Sequence, residues 1–525
     1  MKRYMIDYMG YICYQIVTCL ILLSFLFVGC HNEARVPSDY VSVNEQPKLY
    51  PDYSNVTCPP NIAPLNFSLL NSCKQCVVEL AGRHSSLVVE GGADGKIIFD
   101  ENEWKSLLKK HAGDSLAVNL YVRRSECWQK LRSCQLYVAA EPIDSFLSYR
   151  LIEPGYIPYR RLGIYQRNLT NFEVEPVYEN NVTDDPQQNH CINCHNFQQY
   201  GTSRMLFHVR ENHGGTIIYD NGKLTKVDFK GDSIPGGAVY PAWHPVKPWV
   251  VFSTNITGQS FHINNSERVE VLDMASDLIF CDWEHGTVNY ILHTDSVMEN
   301  FPHWSPDGKR LYYTAAKVPE MAELDMEGRD VYSTEHYREL RYDVMYMDFD
   351  EQNQTFSAPH LLVDCAKNEK SASVPRVSPD GRYVLYTLGN YGQFHIWHKS
   401  ADLWVHDLKN GTDYPLEAAN SHDVESYHTW SRNGRWIAFS SKRDDGDYTR
   451  VYIAYFDNEG KPRKALMLPQ EDPEENILLL KSYNVPELTR EAVHVSRKDF
   501  ENAVYKQPAC KVKFESVYTS KGVSK

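Results

Sequence analysis

The sequence predicts a mainly β protein in which one β-rich unit recurs along the second half of the chain. Ten Trp, 35 Tyr and 20 Phe residues occur among 525, and aromatic side chains favour strands. Four segments of eleven residues superimpose without gaps, at 243–253, 304–314, 377–387 and 430–440. Because 525 residues exceed what one compact core holds, we expect two or three domains, with the repeat filling much of the length.

The repeats share one turn chemistry. In three of them a bulky residue is followed by Ser, then by Pro or Arg, then by Asp or Asn, and then by Gly. This order predicts a type I turn that ends in a left-handed glycine, at Gly308, Gly381 and Gly434. The first copy lacks Asp-Gly and is expected to turn at 246–248. The repeats are 61, 73 and 53 residues apart, so the excess over about 40–45 residues per four-stranded unit is loop. The largest excess, 317–340, is charged and predicts a lid or a helix.

These segments resemble the repeats of TolB-type, WD-like β-propellers. The resemblance implies a closed ring of four-stranded blades, and six blades are the prediction, with five and seven as alternatives. Strands at Met205–Arg210 and Thr216–Tyr219 supply another blade, and Ile152–Tyr165 or Ser482–Val493 are candidates to complete one more.

The N-terminus reads as a processing segment. Lys2 and Arg3 precede an apolar run of 13 residues, Ile16–Val28, which is short for a membrane span and suits a secretion signal. Gly29-Cys30 then resembles a bacterial lipobox, with Phe27 where Leu is usual. The resemblance implies that residues 1–29 are removed and that Cys30 is lipidated; an uncleaved anchor helix is the alternative. Either way the body lies outside the cytoplasm, in the envelope of a Gram-negative-type bacterium, periplasmic or at the outer membrane.

The net charge of −14 argues against a nucleic-acid partner, because a protein that binds phosphates needs a cationic surface.

A small β-rich domain is expected between the N-terminal anchor and the repeats. Residues 58–150 alternate apolar runs with turn signals, including a hairpin pattern over 86–99 and strands at 116–122 and 134–140. One amphipathic helix is predicted at Glu101–His111, with Trp104, Leu107 and Leu108 on its apolar face. The pattern favours a sandwich-like domain.

Cys191-Ile-Asn-Cys194-His195 is the most specific motif in the chain. Cys-x-x-Cys-His is typical of a c-type haem attachment site. Two thiols at this spacing can form thioethers with both vinyl groups of one haem, and the adjacent His195 coordinates the iron. A disulfide hairpin or a zinc-site fragment are the alternatives.

Most of residues 140–490 resembles a group of exported bacterial proteins that join this haem motif to a TolB-like propeller. The matching segments, besides the motif, are Glu141–Asp144, Tyr149–Ile152, Pro154–Tyr156, Phe207–Arg210, Gly214–Thr216, Tyr240–Pro245, Phe252–Asn255, Ser426–Trp430 and Ser482–Glu487. The resemblance implies one covalent haem c, but the cytochrome-like label of that group establishes no activity.

The predicted domain order combines these observations. A signal peptide (1–29) precedes a lipid-anchored tether (30–57) and the β-rich domain (58–180). The haem-attachment segment (181–200), the TolB-like propeller (201–490) and a C-terminal tail (491–525) follow.

The sixth iron ligand is predicted among residues soon after the motif. His208 is the first choice, because it faces away from Met205 and Phe207 on a predicted strand. His213, in the following turn, and Met205 are the alternatives, and an axial Met would give a higher potential than a second His. Propeller histidines are rivals: His244, His262, His395 and His428.

The remaining motifs carry weaker chemistry. Cys73-Lys-Gln-Cys76 predicts a disulfide, with a thioredoxin-like redox pair as the alternative, and Cys127 and Cys134 are a further candidate pair. Asp444–Asp447 is either a cation-binding run or a solvated turn. The chain contains no Gly-x-Ser-x-Gly elbow, P-loop or dinucleotide fingerprint.

Three functions remain open from the sequence. The first is a lipid-anchored c-type haem protein for electron transfer or for redox or ligand sensing, with protein partners on the propeller face. The second is a TolB-like interaction scaffold of the envelope without redox activity. The third is a haem peroxidase-like enzyme, which would need an open sixth position. No catalytic residue is assigned.

Overall fold

The structure is a computed structural model that describes residues 34–153, 161–181, 188, 190–262, 265 and 267–517. The predicted signal peptide and the lipidation site Cys30 lie outside the described residues. Within the described part of the chain, no helix is long and apolar enough to cross a membrane.

The N-terminal unit packs two sheets and one helix around an apolar core. The strands of this unit are β1 (Val41–Ser42), β2 (Leu49–Tyr50), β3 (Val56–Cys58), β4 (Phe67–Leu69), β5 (Gln75–Ala81), β6 (Ser86–Glu90), β7 (Lys96–Ile97), β8 (Ser115–Arg124), β9 (Cys127–Lys130) and β10 (Cys134–Val138). The larger sheet has the order β1-β9-β8-β10-β3, with β5 pairing β8 and β6, and the smaller has the order β2-β4-β7.

Helix α1 (Glu101–Lys110) lies where the apolar spacing predicts a helix. The Asp100 carboxylate caps it by accepting hydrogen bonds from the backbone N–H groups of Asn102 and Glu103. Trp104, Leu107 and Leu108 are buried on its inner face. The predicted 86–99 hairpin is wrong, because β6 pairs with β5 in one sheet and β7 pairs with β4 in the other.

Six sheets radiate from a common axis as the blades of a propeller. Blade 1 contains β11 (Phe146–Ile152), β12 (Gly163–Asn168), β13 (Val174–Glu179) and β35 (Ser482–Thr489). Blade 2 contains β14 (His190–Phe197), β15 (Arg204–Glu211), β16 (Gly215–Asp220), β17 (Lys223–Asp228) and β36 (Cys510–Lys511). Blade 3 contains β18 (Val239–Trp243), β19 (Trp249–Phe261), β20 (Val269–Asp282), β21 (Thr287–Leu292) and β37 (Lys513–Val517).

The other three blades follow in chain order. Blade 4 contains β22 (Val297–Trp304), β23 (Arg310–Lys317), β24 (Asp343–Asp350), β25 (Thr355–Phe356) and β26 (His360–Val363). Blade 5 contains β27 (Ser371–Val377), β28 (Tyr383–Gly389), β29 (Asp402–Asp407) and β30 (Thr412–Pro415). Blade 6 contains β31 (Glu425–Trp430), β32 (Trp436–Ser441), β33 (Arg450–Tyr455) and β34 (Leu466–Met467).

The ring closes through blade 1, so the protein is a six-bladed β-propeller, as predicted. The innermost strands β35, β14, β18, β22, β27 and β31 contact one another in a closed circle. Because β35 from the C-terminal part pairs antiparallel with β11 from the N-terminal part, the two ends of the propeller hold each other in one sheet.

The repeated turns connect the innermost strand of a blade to the next strand. Gly308, Gly381 and Gly434 adopt φ of 70°, 72° and 67°, and each backbone N–H donates to the serine carbonyl three residues earlier. The Ser hydroxyl and the Asp or Asn side chain also bond to each other in each of these turns. The turn chemistry read from the sequence is therefore what the structure contains.

The charged insertion at 317–340 forms a helix, α2 (Met326–His336). It packs on β20, where the Ser333 hydroxyl donates to the Asp273 carbonyl at 2.9 Å. A one-turn helix, α3 (Glu475–Leu478), and the helix α4 (Arg497–Tyr505) complete the elements outside the blades.

The structure moves two predicted domain boundaries. Residues 146–179 were expected in the β-rich domain, but they form β11–β13 of blade 1. The predicted haem-attachment segment is not a separate linker, because His190–Phe197 is the innermost strand of blade 2. The tail adds β36 and β37 to the outer edges of blades 2 and 3. The boundaries differ because the propeller closes with flanking strands that do not contain the repeated turn.

The N-terminal unit rests against blade 6. The Trp436 indole donates to the Glu141 carbonyl at 3.1 Å, and the Asn433 amide donates to the Pro142 carbonyl at 2.6 Å. Residues of both units belong to one apolar cluster, so they pack as one body.

Candidate functional site

A cavity of about 1340 Å³ runs along the axis of the propeller. All six innermost strands contribute to its wall, and we call this cavity the central channel. It is larger than the roughly 300–1,000 Å³ of most small-molecule sites.

One backbone feature recurs in all six innermost strands. Each strand interrupts its pairing with the next strand at a bulge, and one residue there adopts φ between 46° and 53°. A bulge of this kind redirects a side chain away from the alternating pattern of a strand. The six residues all line the channel: Cys194, Tyr240, Phe301, Val374, Tyr427 and Val485.

The haem-like motif is therefore also the blade 2 copy of a structural repeat. The residue after the bulge position is Pro in four blades and His in the other two, His195 and His428. Asn193-Cys194-His195 of blade 2 thus corresponds to Ser426-Tyr427-His428 of blade 6. This second repeat was not predicted from the sequence, although it lies in the few residues that precede each repeated turn.

Both thiols of the motif line the channel. Cys194 is 8% exposed and Cys191 is partly buried, and neither forms a disulfide. Burial raises the pKa of the Cys191 thiol, while the charges of Arg150 and Arg210 oppose that rise. The two thiols are free and reach the same cavity.

His195 lies against blade 1 with a fully buried side chain. Neither ring nitrogen has a hydrogen-bond partner among the described residues, and the Ser148 backbone of β11 lies near the ring. The corresponding His428 shares a bond with the Leu385 carbonyl of the preceding blade at 3.2 Å. His195 therefore fills the space between two blades, as His428 does.

The ring of His195 is uncharged. Burial lowers the pKa of His195 to about 3. The Glu487 carboxylate, 3.9 Å from its Nε2, has a pKa raised by burial to about 8, although it accepts hydrogen bonds from Phe197 N–H and the Asn196 amide. At neutral pH the two groups are a neutral pair, and a neutral imidazole is the form that coordinates metals.

The three predicted distal ligands separate in the structure. His208 lines the channel, its Nδ1 bonds the Thr216 hydroxyl at 2.8 Å, and its buried Nε2 has no described partner. His213 bonds the Gln188 side chain at 2.6 Å and does not line the channel. Met205 is fully buried in an apolar cluster with Phe207. Only His208 is positioned as a candidate ligand of the channel.

The rival propeller histidines mostly have structural partners. His244 packs between Trp249 and Trp304 and bonds backbone groups. His395 bonds the Ser373 hydroxyl and the Tyr391 carbonyl. His262 stacks on Tyr337. Of these rivals, only His428 lines the channel, and both its ring nitrogens are bonded.

The other cysteine and acidic motifs give no second site. All ten described cysteines are free, including Cys73 and Cys76, so neither predicted disulfide is present. Cys127 and Cys134 lie on β9 and β10, which pair with opposite ends of β8, at Arg124 and Val118, so the two cysteines are not hairpin neighbours. Asp444 accepts from the Tyr50 hydroxyl, and Asp445 caps its own turn. Across the described residues, no cluster of three or more His, Cys, Asp or Glu groups could hold a metal ion.

The channel residues fit a covalent haem in part. Two free thiols three residues apart line a cavity of about 1340 Å³ together with two imidazoles, and burial lowers the pKa of His195 and of His208 to about 3, so both are neutral. These are the donors that a c-type haem requires. His195 lines the channel, but its side chain is fully buried against blade 1, so the fit is closer for the two thiols than for this imidazole.

The fold and channel define a six-bladed β-propeller with a wide axial cavity. No family model and no curated protein matches the chain. Similar solved structures include the β-propeller domain of the Trilobed protease from Pyrococcus furiosus, 10% identical with a TM-score of 0.32, covering 81% of this chain and 98% of that chain. The tricorn protease is also similar, at 10% identity and a TM-score of 0.30, covering 77% of this chain and 43% of that chain. These likenesses are too distant to carry an activity over.

Proposed function

We propose that this propeller is a lipid-anchored protein of a bacterial envelope that carries one covalent haem c in its central channel. Cys191 and Cys194 would hold the haem through thioethers. His195 and His208 would be its axial ligands. When bound, the haem would supply one-electron redox chemistry or a site for a small diatomic ligand.

One observation carries the proposal: both motif thiols are free and line the same cavity as two neutral, unpartnered imidazoles. Buried polar nitrogens usually have hydrogen-bond partners, so two without one in a single cavity call for an explanation. A metal ion in the channel would satisfy both.

The chain contains a matched control for attachment. Cys73-Lys-Gln-Cys76 has the same thiol spacing but no following His, and it lies in the N-terminal unit. The protein is expressed with haem-attachment machinery and run on a denaturing gel stained for haem. We expect staining that is lost in Cys191→Ala/Cys194→Ala and retained in Cys73→Ala/Cys76→Ala. An unstained wild-type band contradicts the proposal, and so does stain that survives the first double change.

The spectrum decides which haem function applies. Two axial ligands give a low-spin spectrum, which favours electron transfer or sensing. Replacing His208 by Ala should then give a high-spin spectrum while the covalent stain remains, because thioether attachment and axial ligation are chemically independent. A wild-type protein that is already high-spin and reacts with peroxide would favour the peroxidase-like function instead.

A second candidate function, an interaction scaffold without haem, has one specific observation in its favour. Half of the motif, Asn193-Cys194-His195, has a structural counterpart in Ser426-Tyr427-His428, where no haem motif exists. The fold alone thus accounts for a His after the bulge. It does not account for the second thiol, Cys191. Absence of a Soret band after expression with attachment machinery would select the scaffold function.

A further inference from the structure

Three arginines that line the channel have no carboxylate partner among the described residues. Arg150, Arg210 and Arg376 belong to β11, β15 and β27, in blades 1, 2 and 5. None of the three forms an ion pair with a described residue. Arginines elsewhere do, for example Arg382 with Asp407 and Arg443 with Glu425.

Arg150 and Arg376 meet only neutral acceptors. The Arg150 guanidinium donates to the Ile192 carbonyl and to the side-chain oxygens of Asn193 and Asn484, and its buried Nε has no partner. The Arg376 guanidinium donates to the adjacent Pro375 carbonyl. Burial lowers the pKa of Arg376 to about 10, so it remains charged at neutral pH. An unpaired charge in a partly buried position is costly unless a counter-charge binds there.

The carboxyl groups that line the channel do not pair with them. Glu487 accepts hydrogen bonds from the Phe197 N–H and the Asn196 amide and forms no ion pair with any of the three arginines. Other carboxylates line the channel as well, namely Glu153, Glu211 and Asp228, but none lies within ion-pair distance of the three arginines.

The three positive charges converge on one region beside the haem-like motif. Burial raises the pKa of the Tyr427 hydroxyl, and the nearby Cys194 adds to the rise, while Arg150, Arg376 and Arg210 all oppose it. Tyr427 occupies the bulge position of blade 6 and lines the channel.

Uncompensated positive charge on three blades favours a ligand that is rich in acceptors and negative charge.

We propose that the central channel binds a small organic anion that carries at least two acidic groups. The guanidinium groups belong to blades 1, 2 and 5, so a ligand with two or more acidic groups can pair with more of them than a ligand with one. Guanidinium groups bind carboxylates and phosphates alike, by paired hydrogen bonds. The inference rests on the arginines and not on the proposed haem, although a haem, with two carboxylates, belongs to the same ligand class.

The test uses the purified full chain with Cys191→Ser and Cys194→Ser, so that no haem can be attached. Citrate and pyrophosphate are the probes, titrated by calorimetry at low and at physiological salt. We expect one-to-one binding that weakens as salt rises. The probe that binds more tightly identifies carboxylate or phosphate as the acidic group.

Two variants and one control locate the site. Arg210→Gln, at an exposed position, and Arg376→Gln should each weaken binding by about tenfold, as expected for one lost charge-assisted bond. Arg382→Gln in blade 5 removes a guanidinium that is paired with Asp407 outside the channel, and it should leave binding unchanged. Circular dichroism confirms that each variant is folded.

Two results would overturn the inference. One is that neither probe binds to the haem-free chain, and the other is that binding is the same in Arg210→Gln as in the parent. A positive haem stain with no anion binding removes this inference alone. Anion binding with a negative haem stain removes the proposed function and leaves the anion site.

Discussion

Replacing His195 by Pro tests whether the motif histidine is a structural residue of the propeller. The corresponding residue is Pro241, Pro302, Pro375 or Pro486 in four of the six blades. In each of those blades the preceding residue has a φ between 47° and 53°, close to the 46° of Cys194. The fold therefore already tolerates proline after this bulge.

The cost is small because neither ring nitrogen of His195 has a hydrogen-bond partner among the described residues. The smaller proline ring leaves a void that costs about 1 kcal/mol, and its rigidity returns about 0.4–1 kcal/mol through the unfolded chain. We expect a change in unfolding free energy of less than about 1 kcal/mol.

His428→Pro is the matched control. His428 bonds the Leu385 carbonyl and contacts the Thr387 hydroxyl. Its loss leaves a buried carbonyl unpaired, so we expect about 1–3 kcal/mol more destabilisation than at His195.

Denaturant unfolding followed by tryptophan fluorescence measures both free energies, and the haem spectrum is recorded for each variant. His195→Pro should keep the fold and the covalent stain but change the iron spectrum, whereas His428→Pro should leave the spectrum unchanged. If His195→Pro destabilises the protein as much as His428→Pro, the equivalence of the two blades is wrong. An unchanged iron spectrum in His195→Pro removes His195 as an axial ligand.

Three further predictions follow from single residues. Gly308→Ala should cost about 1–3 kcal/mol more than Gly381→Ala in thermal unfolding. Both glycines have positive φ, but a Cβ at Gly308 would lie 2.2 Å from the buried His244 ring, and one at Gly381 meets nothing within 4 Å. Glu487→Gln should stabilise the protein increasingly as pH rises from about 5 to 8. The folded pKa of Glu487, about 8, lies above its ordinary 4.5, so the wild type loses stability through that range by up to about 1.4 kcal/mol per pH unit, which unfolding curves at several pH values would detect. Cys30→Ala should abolish fatty-acid labelling and detergent partitioning, and labelling that persists contradicts the lipoprotein prediction.

The repeated turn made the propeller predictable from the sequence, whereas no sequence pattern predicted the central channel. A type I turn with a left-handed glycine is a local structure, so Ser305–Gly308 and its two copies could be read from the sequence and located three of the six blades, while the related segment 243–253 located a fourth. Blade 1 lacks that turn, and its strands come from Phe146–Glu179 and Ser482–Thr489, so no local signal assigned them to one sheet. Long-range pairing depends on closure of the whole ring.

The sequence by itself determined the chemistry of the candidate site: two thiols and an imidazole at haem-attachment spacing, and a mainly β chain built from repeats. Only the tertiary structure decided where that chemistry lies. It places Cys191–His195 on an innermost strand, turns His195 between two blades, and gathers Arg150, Arg210 and Arg376 from three blades around one cavity. These arginines stand in different parts of the chain and share no spacing. Their convergence results from packing six sheets around an axis, which no local pattern of residues encodes.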